Sequence, residues 1–335
     1  MLRLSFDVIT TELTRVLVGL GFTPARAAQC ARLFAETQLD GVASHGLNRF
    51  PRFVRQVRAG VVDVNAEPAL VAVHGSWEQW DGLLGPGNLN ATFATARAIA
   101  LARKHAIGLV ALRNTNHWMR GGTYGWQAAL AGFAFIGWTN TTPNMPPWGT
   151  VTRKLGNNPL IVAVPRDHAP VVLDMAMSQF SYGKMERQAL RGEPLPVPGG
   201  YDAEGHLTTD PAAILETWRP LPTGYWKGAG LAMVLDLLAA TLSGGLTTRE
   251  IGASGEEQAL SQVFIAIDVA KPAGAHAVSA LVSAAIDDLH LAVAAPDGSP
   301  ARYPGESVLR IREDNRRHGV PVDEQIWEEI KTIGE

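Results

Sequence analysis

The sequence predicts a chain of the α/β class, in which helices flank a central sheet. Two observations predict this class. Between residues 67 and 180, short apolar runs rich in branched side chains are typical of strands. Before residue 60, apolar residues recur at helical spacing instead, as at Leu13, Val16, Leu17 and Leu20. With 335 residues, of which 18% are charged, the chain is long enough for two domains and a large buried surface.

Glycines and a proline divide the helical first segment. Gly19 and Gly21 are predicted to end the first helix. Thr23 and Pro24 begin the second, as its N-cap and first-turn proline. A third helix is predicted to begin at Ser44 and to run through FVRQVRAG.

Apolar runs in the middle of the chain are predicted to be strands: ALVAVH, IGLVALRN, FAFIGWTN, LIVAVP and VVLDMAMS. Helices are predicted near 88–105 and 121–131. A connection rich in glycine and proline over 181–226 leads to the apolar helix KGAGLAMVLDLLAATLSGG, the strand VFIAIDV and further helices. Several strands have no polar face, so the pattern by itself favours a parallel sheet.

Charge and composition disfavour several classes of protein. The net charge of -3 leaves no basic surplus for nucleic acid or an anionic membrane. The N-terminal segment lacks the continuous apolar core of a signal peptide, and no long uncharged apolar stretch follows. We expect a cytoplasmic protein without a nucleic-acid or membrane partner. A single cysteine, Cys30, is interpreted as a small buried hydrophobe, with a reactive thiol as the alternative.

Common nucleotide and metal motifs are missing from the sequence. Neither GPGNLN at 85–90 nor KGAGLAM at 227–233 completes the G-x-G-x-x-G fingerprint of a Rossmann fold. The second is a candidate anion cradle at a helix start, with close helix packing as the alternative. The nine histidines do not fall at metal-ligand spacing, so no metal site is predicted.

The segment GVASHGLNRF, residues 41–50, holds the strongest candidate chemistry. If Ser44 caps a helix, His45 and Arg49 lie four residues apart on one face of it. A guanidinium can hold a carboxylate, and an imidazole can donate a proton to a carbonyl oxygen as hydride reaches the carbon. The pair therefore suits reduction of a 2-oxo acid. The alternative is an exposed pair on a helix surface.

Two further segments place polar residues at or near predicted strands. In RNTNHWMRGGTYGW, residues 113–126, His117 follows a strand end, where ligands often bind; a tight structural turn is the alternative. Asp174 lies in the otherwise apolar strand VVLDMAMS. A buried carboxylate needs a partner, which either a histidine or the backbone of a turn can supply.

Six motifs together resemble one family: SHGLNRF, NTNHWMRGG, TNTTPNMPPWG, LGNNPL, LDMAMS and GYWKGAGLAM look like the type-2 malate/L-lactate dehydrogenases. The match is collinear over nearly the whole chain. It implies a non-Rossmann α/β (α+β-like) fold with a mixed, largely antiparallel central sheet flanked by helices. It also implies a helical domain made of residues 1–120 with 290–335, and a NAD-binding domain made of 121–289.

The resemblance also implies an activity and a role for individual residues. It implies an NADH-dependent oxidoreductase, with NADPH as the alternative cofactor, that reduces the C2 carbonyl of a 2-oxo sugar acid and forms a homodimer. His45 matches the proton donor, and Ser44, Arg49 and His117 match substrate contacts, with Arg49, His117 and Asp174 also in the catalytic set. The cofactor contacts that it implies are Pro170, Val171, Val172, Leu173, Asp174, Met175, Ala176, Trp226, Lys227, Gly305, Glu306 and Ser307.

Two alternatives stay open. Members of the same family act on malate, L-lactate, ureidoglycolate or cyclic imino acids, so the substrate can differ. Outside enzyme chemistry, the alternative is a protein that binds NADH and a sugar acid without turnover.

Overall fold

A computed structural model of the chain describes residues 2–296 and 298–333, and helices from both chain ends form one apolar core in it. They are α1 (Phe6–Gly19), α2 (Pro24–Leu39), α3 (Phe50–Arg58) and α13 (Glu324–Ile333). The short strand β1 (Leu2–Leu4) pairs antiparallel with β11 (Val320–Val322), which holds the two ends together. The buried rings of Phe34, Phe50 and Phe53 contact one another at the centre of this core.

The first two helices are confirmed, and the start of the third is wrong. Residues 43–49 form two short 3-10 turns, Ala43–His45 and Leu47–Arg49, before α3 begins. The physical reason is Gln38 of α2. Its side-chain Oε1 accepts the Leu47 N–H at 3.0 Å, so this amide does not form a hydrogen bond within a helix. At Gly46, between the turns, a Cβ would lie 2.7 Å from the same oxygen.

A mixed sheet lies beside the helical core. Its strands are β2 (Ala69–His74), β3 (Trp77–Asp81), β4 (Ile107–Thr115), β5 (Ala134–Thr139), β6 (Leu160–Val164), β7 (Val171–Met175) and β10 (Leu260–Ile267). The order is β2-β3-β4-β10-β5-β6-β7. Strands β3 and β4 pair in parallel, whereas the other neighbouring pairs are antiparallel. The mixed, largely antiparallel sheet is therefore confirmed.

The parallel sheet favoured by the strand pattern alone is wrong, and the helices that cover the sheet explain why. Helices α4 (Gly87–His105) and α5 (Gly122–Leu130) pack on one face. The apolar helix α8 (Trp226–Ser243) packs on the other. Burial of both faces selects continuous apolar runs whatever the strand direction. The sequence prediction omitted β3, whose buried Glu78 forms an ion pair with Arg97 of α4 and so interrupts the apolar pattern.

The remaining elements surround this framework. The connection predicted over 181–226 contains α6 (Tyr182–Arg191), β8 (Gly200–Tyr201), β9 (Leu207–Thr208) and α7 (Pro211–Thr217). Beyond α8 follow α9 (Thr248–Ala253), α10 (Ala270–Ala273), α11 (Ala275–His290) and α12 (Glu306–His318). Because β2, β3 and β4 belong to the same sheet as β5, the sheet crosses residue 120, where a domain boundary was predicted.

Helix α8 is long and apolar enough, by length and composition, to cross a membrane. The core helix of a globular protein can have the same length and composition. Its side chains Ala232, Leu235 and Ala239 are buried against the sheet, and the indole N–H of Trp138 in β5 donates to the Leu235 carbonyl at 2.9 Å. One face of α8 is thus part of a core, and the opposite face is exposed.

Candidate active site

A cavity of about 1140 Å³ is lined by residues from the helical core and from the sheet. Nine of the predicted site residues line it: Ser44, His45, Arg49, His117, Val172, Leu173, Asp174, Ala176 and Gly305. The others do not: Pro170, Val171, Met175, Trp226, Lys227, Glu306 and Ser307. The cavity therefore combines the histidine and arginine candidates with parts of two predicted cofactor segments.

His45 and His117 lie next to each other although 72 positions separate them in the chain. Their rings are nearly parallel, at 20°, with centroids 5.8 Å apart. His45 ends the first 3-10 turn, and His117 follows β4. The expectation that His45 and Arg49 share one helical face is wrong, because they end two separate turns. The bend at Gly46 nevertheless leaves both side chains on the cavity.

The hydrogen bond to His117 determines which of its nitrogens carries a proton. The backbone N–H of Met119 donates to His117 Nδ1 at 3.0 Å, so this nitrogen is an acceptor. A neutral imidazole then carries its proton on Nε2. Burial, Arg49, His45 and Arg52 keep the pKa of His117 well below its ordinary value. His117 is therefore a neutral hydrogen-bond donor and a poor source of a proton.

His45 has a partner that suits both of its protonation states. Its Nδ1 lies 3.0 Å from the hydroxyl of Ser44, which can either donate or accept a hydrogen bond. Burial and Arg49 lower the pKa of His45, while Asp174 and Glu257 oppose that shift. An imidazole that can gain and lose a proton without breaking its hydrogen bond fits general acid–base chemistry.

Arg49 is held by a residue that the sequence did not suggest. Its Nη2 donates to Glu257 Oε2 at 2.9 Å, and Arg52 Nη2 reaches the same oxygen at 3.2 Å. The Nε of Arg49 is buried and has no hydrogen-bond partner in the described part of the chain. All three residues line the cavity. A guanidinium group that lines a cavity is suited to bind a carboxylate of a ligand.

Asp174 lies on the cavity but does not bind a histidine. Its Oδ2 accepts the backbone N–H of Gly122, the first residue of α5, at 2.8 Å. The expectation of a buried carboxylate is wrong, because β7 is an edge strand and Asp174 is exposed. The turn-capping alternative is the one observed, and a negative charge at a helix N-terminus is favourable.

The loop that carries His117 is fixed by structural contacts. Asn116 Nδ2 donates to the carbonyls of Val61 and Leu84 at 3.1 and 2.6 Å. A Cβ on Gly87, the first residue of α4, would lie 2.4 Å from the carbonyl oxygen of His117. Gly87, the second glycine in GPGNLN, thus lets α4 start directly against this loop. Within the segment 113–126, the structure shows the structural-turn alternative at Asn116, whereas ligand contact by His117, which lines the cavity, stays a prediction.

Two predicted cofactor segments meet at the edge of the sheet. The Val172 N–H of β7 donates to the Pro304 carbonyl at 2.9 Å, next to Gly305 at the start of α12. Gly305 has φ +95°, and a Cβ there would approach the Val172 backbone to 3.2 Å. A glycine and a helix N-terminus beside an edge strand are features that admit a phosphate-bearing ligand close to the backbone. These residues fit a dinucleotide.

The third predicted cofactor segment lies elsewhere. Trp226 and Lys227 begin α8 and are exposed away from the cavity lining. A Cβ on Gly228 would lie 2.1 Å from the Thr223 carbonyl oxygen, so this glycine is required for close packing. The packing alternative stated for KGAGLAM is therefore the one observed at Gly228.

Comparisons with known proteins identify the family of this chain. The family model described as malate/L-lactate dehydrogenase matches residues 4–331. The 2,3-diketo-L-gulonate reductase of Citrobacter koseri is 44% identical over 334 residues, covering 99% of this chain and all of that protein.

Solved structures with the same fold include the sulfolactate dehydrogenase of Methanocaldococcus jannaschii, with a TM-score of 0.91 and 28% identity over 99% of this chain and 96% of that one. The Δ1-piperideine-2-carboxylate reductase of Pseudomonas syringae has a TM-score of 0.88 and 28% identity, covering 99% of this chain and all of that one.

Proposed function

Because this chain belongs to the malate/L-lactate dehydrogenase family and is an oxidoreductase, we propose that it reduces the C2 carbonyl of 2,3-diketo-L-gulonate, with NADH, to 3-dehydro-L-gulonate. The name of the relatives at 44% identity supports this substrate. The observation that carries the proposal is the meeting of His45, His117 and Arg49 on one cavity. A 2-oxo acid needs a proton donor, a carbonyl polariser and a carboxylate anchor, and these three residues supply them.

The family relation implies a nicotinamide cofactor. We propose that the segment from Val172 to Ala176 and Gly305 hold the cofactor. All of these residues except Met175 line the cavity at the sheet edge. When bound, the reduced nicotinamide supplies the hydride that the substrate carbon accepts. The preference for NADH over NADPH rests on the resemblance of the sequence.

The protein supplies the proton and the placement of the substrate. His45 gives its Nε2 proton to the carbonyl oxygen, while Nδ1 keeps its proton and donates it to the Ser44 hydroxyl before and after the transfer. His117 donates its Nε2–H to the same oxygen and stays neutral, because Met119 occupies Nδ1. Arg49 holds the carboxylate through its guanidinium group, since this residue lines the cavity. Asp174 keeps α5 in place and favours protonation of His45 through its charge.

We also propose that the chain acts as a homodimer through the outer face of α8. Exposed apolar side chains cover that face: Trp226, Met233, Val234, Leu237 and Leu238. A contiguous apolar patch of this kind marks an association surface. Sedimentation of the purified chain, compared with a variant carrying Val234→Glu, tests the assignment.

Replacing His45 tests the proposed mechanism. His45→Ala should lower the rate of NADH-dependent reduction by about 10²–10⁴, because a general acid is lost. His117→Asn should lower it by only about tenfold, because a single neutral hydrogen bond is lost. His206→Ala is the control, since this exposed residue lies outside the cavity lining. A loss below about threefold for His45→Ala would reject its role as proton donor.

A substrate panel tests the proposed specificity. NADH and NADPH oxidation are followed with 2,3-diketo-L-gulonate, oxaloacetate, pyruvate and a cyclic imino acid. The proposal expects the highest kcat/KM for the sugar acid with NADH. Faster turnover of another 2-oxo acid would reassign the substrate within the family, and NADH binding without any turnover would indicate a binding protein.

A further inference from the structure

Glu257 carries a charge at the point where the substrate carboxylate is proposed to bind. It belongs to the segment between α9 and β10 and lies on the cavity with Arg49 and Arg52. Its side chain is 12% exposed, and that of Arg49 is 17% exposed. The mechanism above assigns Glu257 no part in the reaction.

One carboxylate oxygen of Glu257 serves both arginines. Oε2 accepts from Arg49 Nη2 at 2.9 Å and from Arg52 Nη2 at 3.2 Å. Burial lowers the pKa of the Arg49 guanidinium, and the charge of Glu257 opposes that shift. The three side chains together carry one net positive charge, so one further negative charge makes the group neutral.

We propose that Glu257 is a specificity-determining residue: it orients Arg49 and, by neutralising one of the two arginines, makes the site select monocarboxylate over dicarboxylate 2-oxo acids. This inference rests on the proposed function only in assigning the substrate carboxylate to Arg49. Specificity arises as much from repulsion of the wrong ligand as from attraction of the right one. A second carboxylate on the ligand is repelled by the negative charge of Glu257, whereas an uncharged hydroxyl group at the same place is not.

Binding of two isosteric anions tests the inference without turnover. Oxamate is a monoanion and oxalate a dianion of nearly the same shape, so the ratio of their dissociation constants measures discrimination by charge. Calorimetry on the full chain should give tighter binding of oxamate. Glu257→Gln keeps the shape and removes the charge, and should shift the ratio toward oxalate by about tenfold or more, since a unit charge within about 10 Å is worth at least that factor at intermediate dielectric.

Two further variants make the result decisive. Glu256→Gln is the matched control, because this neighbour is exposed and lies outside the cavity lining, and it should leave the ratio unchanged. Arg52→Gln should shift the ratio toward oxamate, and it tests the same charge balance if Glu257→Gln does not fold. Arg52 is suited to this because its side chain is 49% exposed.

The possible outcomes separate this inference from the proposed function. A role in folding alone would weaken both anions equally in Glu257→Gln and leave the ratio unchanged, which overturns the inference. Failure of both anions to bind the unaltered chain also overturns it. A shifted ratio in a chain that does not reduce 2,3-diketo-L-gulonate supports the inference and rejects the proposed substrate.

Discussion

Replacing Asp40 by asparagine should strongly destabilise the fold, because Asp40 joins three elements around the cavity. Its carboxylate follows the end of α2 and accepts hydrogen bonds from Arg120, in the loop after His117, and from Arg312 of α12. The Arg312 contacts measure 2.6 and 2.8 Å, and its guanidinium lies 4.6 Å from the ring of Trp126. Asp40 is 5% exposed and Arg120 is 6% exposed.

The size of the effect follows from this burial. Asp40→Asn keeps the shape but leaves two guanidinium groups without their counter-charge in a site that water hardly reaches. Removing one partner of a buried ion pair costs about 3–5 kcal/mol. An unfolding entropy of about 2.1 cal/mol/K per residue gives roughly 0.7 kcal/mol/K for this chain, so the midpoint of thermal unfolding should fall by about 4–7 °C.

Urea unfolding followed by circular dichroism measures the loss, with calorimetry for the midpoint. Glu36→Gln is the control, because Glu36 on the same helix pairs with Arg32 in an exposed i,i+4 contact of 2.7 Å. Exposed pairs of this kind contribute less than about 1 kcal/mol. If Asp40→Asn loses no more than Glu36→Gln, the buried cluster does not stabilise the fold and the reasoning is refuted.

Two further predictions concern titrating groups. Because burial and Arg49 lower the pKa of His45 below 6.5, kcat/KM for reduction should fall about tenfold per pH unit above that lowered pKa, and the reverse oxidation should lose rate on the acid side instead. His45→Gln should remove this dependence and His117→Asn should keep it; an unaltered profile in His45→Gln would contradict the assignment. Burial raises the pKa of Cys30 to about 12, so its thiol should not react with a disulfide reagent near neutral pH until the chain unfolds, and labelling of the native protein within minutes would contradict its burial.

Much of the candidate site could be predicted from local sequence. His45, Arg49 and His117 stand in long motifs that a family resemblance identifies, and all three line the cavity. The segment around Asp174 was placed on the correct strand. Local signals sufficed because capping residues, glycines and apolar periodicity act over a few positions.

Contacts between distant segments could not be predicted in this way. Glu257 lies 208 positions from Arg49, in a stretch whose sequence carries no motif. The partners of Asp40, Arg120 and Arg312, are likewise far from it in the chain. Charged residues of this kind resemble ordinary surface residues until folding buries them together.

The sequence by itself predicted the longer helices, most of the strands and the candidate site residues, since these depend on the chemistry of neighbouring residues. Apolar patterning alone could not decide the direction of the strands, because an apolar run buried on both faces has the same composition in either orientation; the structure shows the mixed sheet that the family resemblance implied. Only the tertiary structure decided how His45 meets His117 and Arg49, because the hydrogen bond from Leu47 to Gln38 of another helix bends the chain between them. Such contacts form only when distant segments pack, and they fix the charge and the protonation on which the proposed chemistry depends.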